Sequence, residues 1–127
     1  MFHMKDNIIY DELWNVLAPL GTELKGEPVL VQDVFGWYLK DAEAVDEEVC
    51  LVYRCRQVDA DKRAGSGEQI LAGDRLYYYP SDGLVSPTAT GAFGTDYYFC
   101  GWAKKDATAL DAHVLMNFDG TRWDEDV

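Results

Sequence analysis

Apolar and polar residues alternate along much of the chain with the period of two that β-strands require. The longest such run is EEVCLVYRCRQV, residues 47–58, which becomes charged on one side towards its end. Four residues of this run would share its apolar face: Val49, Leu51, Tyr53 and Cys55. The pattern predicts a half-buried strand.

Shorter runs of the same kind, separated by turn residues, occur before and after it: EPVLVQ (27–32), FGWYLK (35–40), DRLYYYP (74–80), LVSPT (84–88), YYFCGWAKK (97–105) and AHVLMNF (112–118). The SDG turn, where Gly83 supplies a positive φ, predicts a hairpin, and residues 59–69 and 89–96 read as exposed loops. About seven or eight short strands predict an all-β domain, a small antiparallel β-barrel or β-sandwich. The inward positions would be Val29, Val31, Val49, Leu51, Leu76, Val85, Val114 and Met116.

The first twenty residues fit two structures. One is a helix that ends near residues 19–21, because its apolar residues would lie on one helical face: Ile9, Leu13, Val16, Leu17 and Leu20. The other is an extended arm along a neighbouring sheet, which would use the same apolar residues.

Composition limits the function. A chain of 127 residues can form one core, and its net charge of −12, from 23 acidic and 11 basic residues, argues against binding a nucleic-acid backbone. The charge indicates a well-solvated surface, with attraction to a basic partner as the alternative. The N-terminal residues do not resemble a signal peptide and no run approaches the length of a membrane span, so we expect folding in a reducing cytoplasm, without a membrane partner.

No catalytic or metal-binding motif is present in the sequence. Cys50, Cys55 and Cys100 form no C-x-x-C pair, so buried free thiols are expected rather than disulfides or a zinc site. His3 and His113 stand outside any motif, and we expect His113 to be structural. Three aspartates beside turns are expected to bond their own backbone instead of forming a carboxylate cluster: Asp74, Asp82 and Asp96. We therefore predict no enzyme, no metal and no cofactor; a small hydrolase would need a nucleophile and base that are not evident.

Aromatic residues are abundant, with four Trp, eight Tyr and five Phe. The YYY run at residues 77–79 must place rings on both faces of one strand. Outward rings suit a protein interface or a carbohydrate-stacking platform, and cross-strand pairing within the sheet explains them equally well. Trp123, in the acidic tail, suggests a docking contact.

The order of these pieces resembles the small decoration, or cement, proteins of tailed-phage capsids. The similarity covers residues 12–118 and rests on GEPVLV, FGWYLKDA, EEVCLVYRC, AGDRLYYYPSDGLVSPTATG, CGWAKKDA and AHVLMNF. The positions that match the family pattern are Gly73, Asp74, Leu76, Tyr77, Tyr78, Gly83, Val85, residues 88–91, Gly101 and Ala103. The segment FGTDYYFC departs from the pattern, and residues 1–11 and 119–127 look like an added N-terminal arm and an acidic tail.

The resemblance implies a first strand at residues 12–20 and a non-enzymatic structural protein on the outer surface of a virion capsid, made in the bacterial cytoplasm. Its partners would be the major capsid protein and further copies of itself, as a homotrimer or another small oligomer. The predicted contact residues are Phe2, Ile8, Ile9, Tyr10, Trp14, Tyr78 and Trp123. Deleting residues 1–10 should then leave the domain folded, unless the arm folds back on its own barrel. The alternative function is a glycan- or protein-binding β-module that uses exposed Tyr and Trp side chains, with Tyr78 and Trp123 as the residues to test.

Overall fold

A computed structural model describes residues 2–4, 10–31 and 34–122, and nine β-strands make up about half of this part of the chain. The strands are β1 (Phe2–Met4), β2 (Tyr10–Ala18), β3 (Pro28–Val31), β4 (Val34–Tyr38), β5 (Glu47–Asp61), β6 (Arg75–Tyr79), β7 (Leu84–Ser86), β8 (Tyr98–Ala103) and β9 (His113–Asp119). A short 3₁₀-helix at Gly120–Arg122 follows β9, and the described residues contain no α-helix. The protein is all-β, as the alternation of apolar and polar residues predicts.

The long strand β5 organises the sheet. Its first half lies between β2 and β4, and its second half lies between β1 and β9. The strands pair in the order β3-β4-β5-β9-β8-β6-β7. The remaining strands, β1 and β2, lie off this path, and both pair with β5. Every pairing between these strands is antiparallel, and the sheet curls into a half-barrel.

Two irregularities in β5 change which face of the strand is buried. Val52, Cys55 and Val58 all reach the main core although they are three residues apart, and a regular strand would turn each to the opposite face from the one before. The pairing register shifts at both places, beside Arg54 and again between Cys55 and Val58. Each shift inserts one extra residue, as a β-bulge does. The prediction that Val49, Leu51, Tyr53 and Cys55 share one face is therefore wrong.

The apolar side chains form two clusters. The main core lies inside the half-barrel and is rich in aromatic rings, among them Phe2, Phe35, Trp37, Tyr78 and Phe118. A smaller cluster on the other face of the sheet consists of Val16, Ala18, Tyr38, Val49 and Leu51. Of the residues predicted to point inward, six are buried (Val49, Leu51, Leu76, Val85, Val114 and Met116), and Val29 and Val31 are half-buried against the smaller cluster.

The N-terminal region is extended, so the helical interpretation is wrong for residues 10–18. Val16 and Ala18 are buried while Asn15 and Leu17 are exposed, which is the period of a strand. Residues 2–4 also pair with β5, so this part of the arm folds back on its own sheet. The predicted loop at residues 59–69 begins later than expected, because β5 continues to Asp61.

Candidate functional site

The residues predicted to contact a partner do not form one site. Phe2 and Tyr78 are 1% and 7% exposed, and their ring centroids lie 5.6 Å apart in the main core. Neither side chain is available to a partner in this fold, so both are corrected from contact residues to core residues. Tyr10 and Trp14 lie on β2, and their side chains are outside what the structure describes. Ile8, Ile9 and Trp123 lie outside the described residues.

The three consecutive tyrosines of β6 divide between the two faces of the sheet, as predicted. Tyr78 points into the main core, where burial raises its pKa to about 12. Tyr77 and Tyr79 lie on the other face, with ring centroids 5.3 and 5.6 Å from that of Tyr97. The Tyr79 hydroxyl donates to the Thr88 carbonyl and accepts the N–H of Thr90, at 2.9 Å. These contacts tie the loop after β7 to the sheet.

The outward rings are covered by arginines and by other rings. The guanidinium group of Arg63 lies 3.7 Å from the centroid of the Tyr79 ring, and that of Arg75 lies 4.1 Å from the centroid of Phe99. Tyr79 and Phe99 are 3% and 0% exposed. Cross-strand pairing therefore accounts for these rings, and their faces are not open for a sugar to stack on.

The three aspartates beside turns bond their own backbone, which confirms the turn prediction. The Asp74 carboxylate accepts the N–H of Leu71 at 2.9 Å, and Asp96 accepts that of Ala92 at 2.7 Å. Asp82 accepts the N–H of Leu84 and pairs with Arg63 at 2.7 Å. Each carboxylate is thus occupied in its own turn.

The two histidines meet on the outer face of the sheet. His3 Nε2 and His113 Nδ1 each lie 3.1 Å from Asp61 Oδ1, and His113 Nδ1 is 3.9 Å from Asp59 Oδ2. Burial alone would raise the pKa of Asp61, but hydrogen bonds, including the one from His3, hold it below the ordinary value. In residues 2–4, 10–31 and 34–122, no group of three or more His, Cys, Asp or Glu side chains is arranged to hold a metal ion. The cluster joins β1 and β9 to β5.

Lys62 is a buried cation, only 3% exposed. Its Nζ donates to the carbonyls of Arg63, Thr108 and Asp111 at 2.7, 3.1 and 3.1 Å, and the Ala109 carbonyl is 3.5 Å away. Desolvation lowers the pKa of Lys62. With its donors directed at backbone carbonyls, the ammonium group holds the turn at residues 108–111.

One end of the molecule shows what the sequence analysis missed. Leu17, Leu20, Leu24 and Val45 are 60%, 71%, 51% and 68% exposed, and we call these four residues the leucine end. The available sequence clue was apolar residues within turn-forming segments, PLG at 19–21 and AVDE at 44–47. Leucine and valine in a β-protein are ordinarily assigned to the core. The predicted partner contacts were therefore mainly aromatic residues.

Comparison with known protein families, with curated proteins and with solved structures found no match. Within the described residues, no helix has the length and apolar character needed to cross a membrane. The assignment of function therefore rests on the resemblance in the sequence and on the geometry of the described residues.

Proposed function

We propose that this protein is a non-enzymatic capsid decoration protein that binds the outer surface of a tailed-phage head and clamps adjacent major capsid subunits. Its working form in this proposal is a small oligomer, with a trimer as the first candidate. The proposal starts from the resemblance over residues 12–118. It needs no cofactor, because the role is mechanical.

The observation that carries the proposal is that the positions of the family pattern, within residues 73–103, lie on β6, β7 and β8 and in the turns and loop that border them. Gly73 and Gly83 have φ values of +93° and +73° in the turns before and after β6, where glycine is the favoured residue. Leu76, Val85 and Ala103 from the three strands are buried in the main core. These positions of the family pattern thus lie together on three adjacent strands of the sheet.

The physical requirements of a shell clamp agree with the rest of the molecule. Such a protein has to remain dissolved before assembly, which the charge of −12 favours. It also has to present apolar surface to the shell, and the exposed side chains of the leucine end supply such surface. Many modest contacts around a shell suffice, since linked binding events raise the effective concentration at each remaining site.

The test begins with the genes beside this one, which should encode a head protease and a major capsid protein. Shells assembled from that major capsid protein are mixed with the purified chain and reconstructed by electron cryomicroscopy. We expect density at symmetry-related positions on the outer surface and shells that withstand more heating. Shells that stay bare at saturating concentration, or a gene neighbourhood without head genes, would contradict the proposal.

The glycan-binding alternative is weaker on this structure. Tyr78, one of its two proposed stacking residues, is in the core, and the faces of Tyr79 and Phe99 are covered by arginines. A glycan array probed with the intact protein keeps the two functions apart, because the decoration role expects no specific glycan.

A further inference from the structure

The leucine end brings together two segments that are distant in the sequence. The N–H of Asp46 donates to the Ala18 carbonyl at 2.9 Å, and the N–H of Ala42 donates to the Glu23 carbonyl at 2.8 Å. Between these bonds the backbones are close enough that a Cβ atom on Gly21 would lie 2.5 Å from the nitrogen of Val45. Residues 17–24 and 41–48 are therefore neighbours, and their exposed apolar side chains belong to one end of the molecule.

This end is held in place by a buried carboxylate. Glu23 is 5% exposed, and its two carboxylate oxygens accept the N–H groups of Leu20 and Thr22 at 3.0 and 3.1 Å. Burial works to raise the pKa of Glu23, but the backbone donors prevail and lower it, so the carboxylate is charged at neutral pH. Leu20 and Leu24 thus flank an ordered turn, so little backbone entropy remains to be lost when they are covered.

Val45 is displayed on a turn with an uncommon backbone. The N–H of Glu47 donates to the Ala44 carbonyl at 3.2 Å, which closes the turn, and Asp46 has a φ of +59°. A residue other than glycine in this region is uncommon and costs free energy. The turn holds an exposed β-branched side chain outward instead of folding it onto the smaller cluster.

The segment that carries Val45 is acidic. The segment 41–48 carries five carboxylates and no basic residue: Asp41, Glu43, Asp46, Glu47 and Glu48. Lys40 precedes it, with its Nζ 3.7 Å from a Glu47 oxygen, and Lys25 directly follows the facing segment. The surroundings of the leucine end are therefore strongly negative.

We propose that the leucine end binds an apolar segment of a partner protein that carries lysine or arginine side chains. Apolar contact supplies the affinity, and the carboxylates select basic flanks and speed the encounter. A second copy of this chain is the poorer occupant, because two leucine ends facing each other would bring like charges together. The inference rests on the decoration role only for the identity of the partner, and its chemistry is tested separately.

The chain offers a matched control at other exposed leucines. Leu71 and Leu110 are 53% and 80% exposed and lie outside both segments of the leucine end. The test variant is Leu20→Ser with Val45→Ser, and the control variant is Leu71→Ser with Leu110→Ser. All four positions are exposed, so both variants should melt near the wild-type temperature, and circular dichroism verifies the fold.

The probe is a short synthetic peptide of alternating leucine and lysine, followed by fluorescence anisotropy. We expect the test variant to bind the peptide at least about tenfold more weakly than the wild-type protein. The control variant should bind it with an affinity within about twofold of wild type. Added salt should weaken the wild-type complex. Peptides with serine in place of leucine, or glutamate in place of lysine, should bind poorly. Equal binding by the test and control variants, or by the serine peptide, would overturn the inference.

Three further outcomes are decisive. If sedimentation shows that the wild-type protein self-associates, that the test variant does not, and that the peptide fails to compete, the occupant is a second copy and the stated partner is wrong.

The capsid experiment is then repeated with both variants. Peptide binding that depends on the leucine end, together with shells that stay bare with every variant, rejects the decoration role and keeps the inference. Shells decorated equally well by the test variant reject the leucine end as the capsid contact.

Discussion

At Gly101 the backbone leaves no room for a side chain. Its φ is +144°, and a Cβ atom built there would lie 1.9 Å from the Asn117 carbonyl oxygen on the neighbouring strand β9. The pairing of β6 with β8 shifts register at this point, between Phe99 and Gly101. The shift lets Cys100 and Ala103 both reach the main core. This glycine is thus required twice, by its dihedral angle and by the approach of β9.

We predict that Gly101→Ala lowers the free energy of unfolding by about 3 kcal/mol or more, through backbone strain together with the contact with Asn117. The control is Gly67→Ala, because Gly67 has a φ of +84° and nothing within 4 Å of its Cβ position. That change should cost about 1 kcal/mol, the penalty of the dihedral angle alone. Urea denaturation measures both, and similar losses would show that β9 yields to the added methyl group.

Residue-level predictions held where a single backbone bond decides the role of a side chain. The turn aspartates Asp74, Asp82 and Asp96 could be assigned because an Asp side chain in a turn commonly accepts a hydrogen bond from a nearby backbone N–H. The direction of Tyr78 could not, because alternation says that neighbouring rings oppose each other but not which face is covered. Phe2 was misassigned for the same reason, since the rings that enclose it come from distant strands.

At the scale of elements, β1 is short but firmly attached. Its three residues pair with residues 58–60 of β5, and the Phe2 ring lies 4.9 Å from that of Phe118 and 6.5 Å from that of Phe35, between ring centroids. Burial of a large side chain contributes about 1.5–3 kcal/mol, so this strand adds to the stability of the core. The expectation that residues 1–10 can be deleted without loss does not suit this arrangement.

We predict that Phe2→Ala lowers the free energy of unfolding by about 3–5 kcal/mol, because it empties a space among packed rings. The neighbouring change His3→Ala should cost less than about 1 kcal/mol, since that side chain is half exposed and its contact with Asp61 is open to solvent. Deleting residues 1–10 should cost at least as much as Phe2→Ala. Thermal melting measures all three, and a wild-type melting temperature for Phe2→Ala would show that β1 is not part of the core in solution.

The attachment of β1 should also depend on acidity through Asp61. The pKa of Asp61 is held below its ordinary value of 3.8, so its contribution to stability is complete above that value and is lost as the pH falls through the lower folded-state pKa. Asp61→Asn should cost about 1 kcal/mol near neutral pH and nothing at strongly acid pH. Denaturant titrations at the two pH values measure this, with Glu48→Gln, an exposed carboxylate on the same strand, as control. A cost that does not change with pH would contradict the role of the charge.

The strands were predictable as elements, and the buried faces of β6, β7 and β9 were predictable with them, but the face of β5 was not. β6, β7 and β9 could be placed because turn residues bound short alternating runs. β2 was ambiguous, because apolar residues spaced three and four apart suit a helix, and only pairing with β5 selects the strand. β5 contains no glycine or proline that would indicate its bulges. The sequence therefore could not show which residues of β5 are buried on each face.

At the scale of the whole molecule, the net charge can be read from the sequence, but the position of the exposed apolar surface cannot. The net charge of −12 gives a general preference for basic partners, but only folding shows that carboxylates and exposed leucine side chains meet at one end. Residues 17–24 and 41–48 are separated by two strands in the sequence, and the contact between them depends on the path of the backbone. A surface formed by two distant segments leaves no linear motif in the sequence. The number and position of aromatic residues therefore did not indicate this surface.

Whether the half-barrel opens as one unit can be measured through its cysteines. Cys55 on β5 and Cys100 on β8 both lie in the main core, and burial raises the pKa of the Cys100 thiol, which suppresses the reactive thiolate. Cys50 is only half-buried, so the expectation of three buried thiols is corrected to two. These two thiols are on strands separated by β9 and therefore report on different parts of the same core.

We predict that a thiol-reactive dye labels one site per native chain quickly, at Cys50, and the other two slowly and at a common rate. In denaturant all three should react. Cys50→Ser is the control, since it should remove the fast phase and leave the slow one unchanged. A common slow rate follows if β5 and β8 are exposed only when the shared core opens, and mass spectrometry of digested samples assigns the rate at each site. Unequal slow rates for Cys55 and Cys100 would show that the two parts of the sheet open separately, and that the half-barrel is not a single cooperative unit.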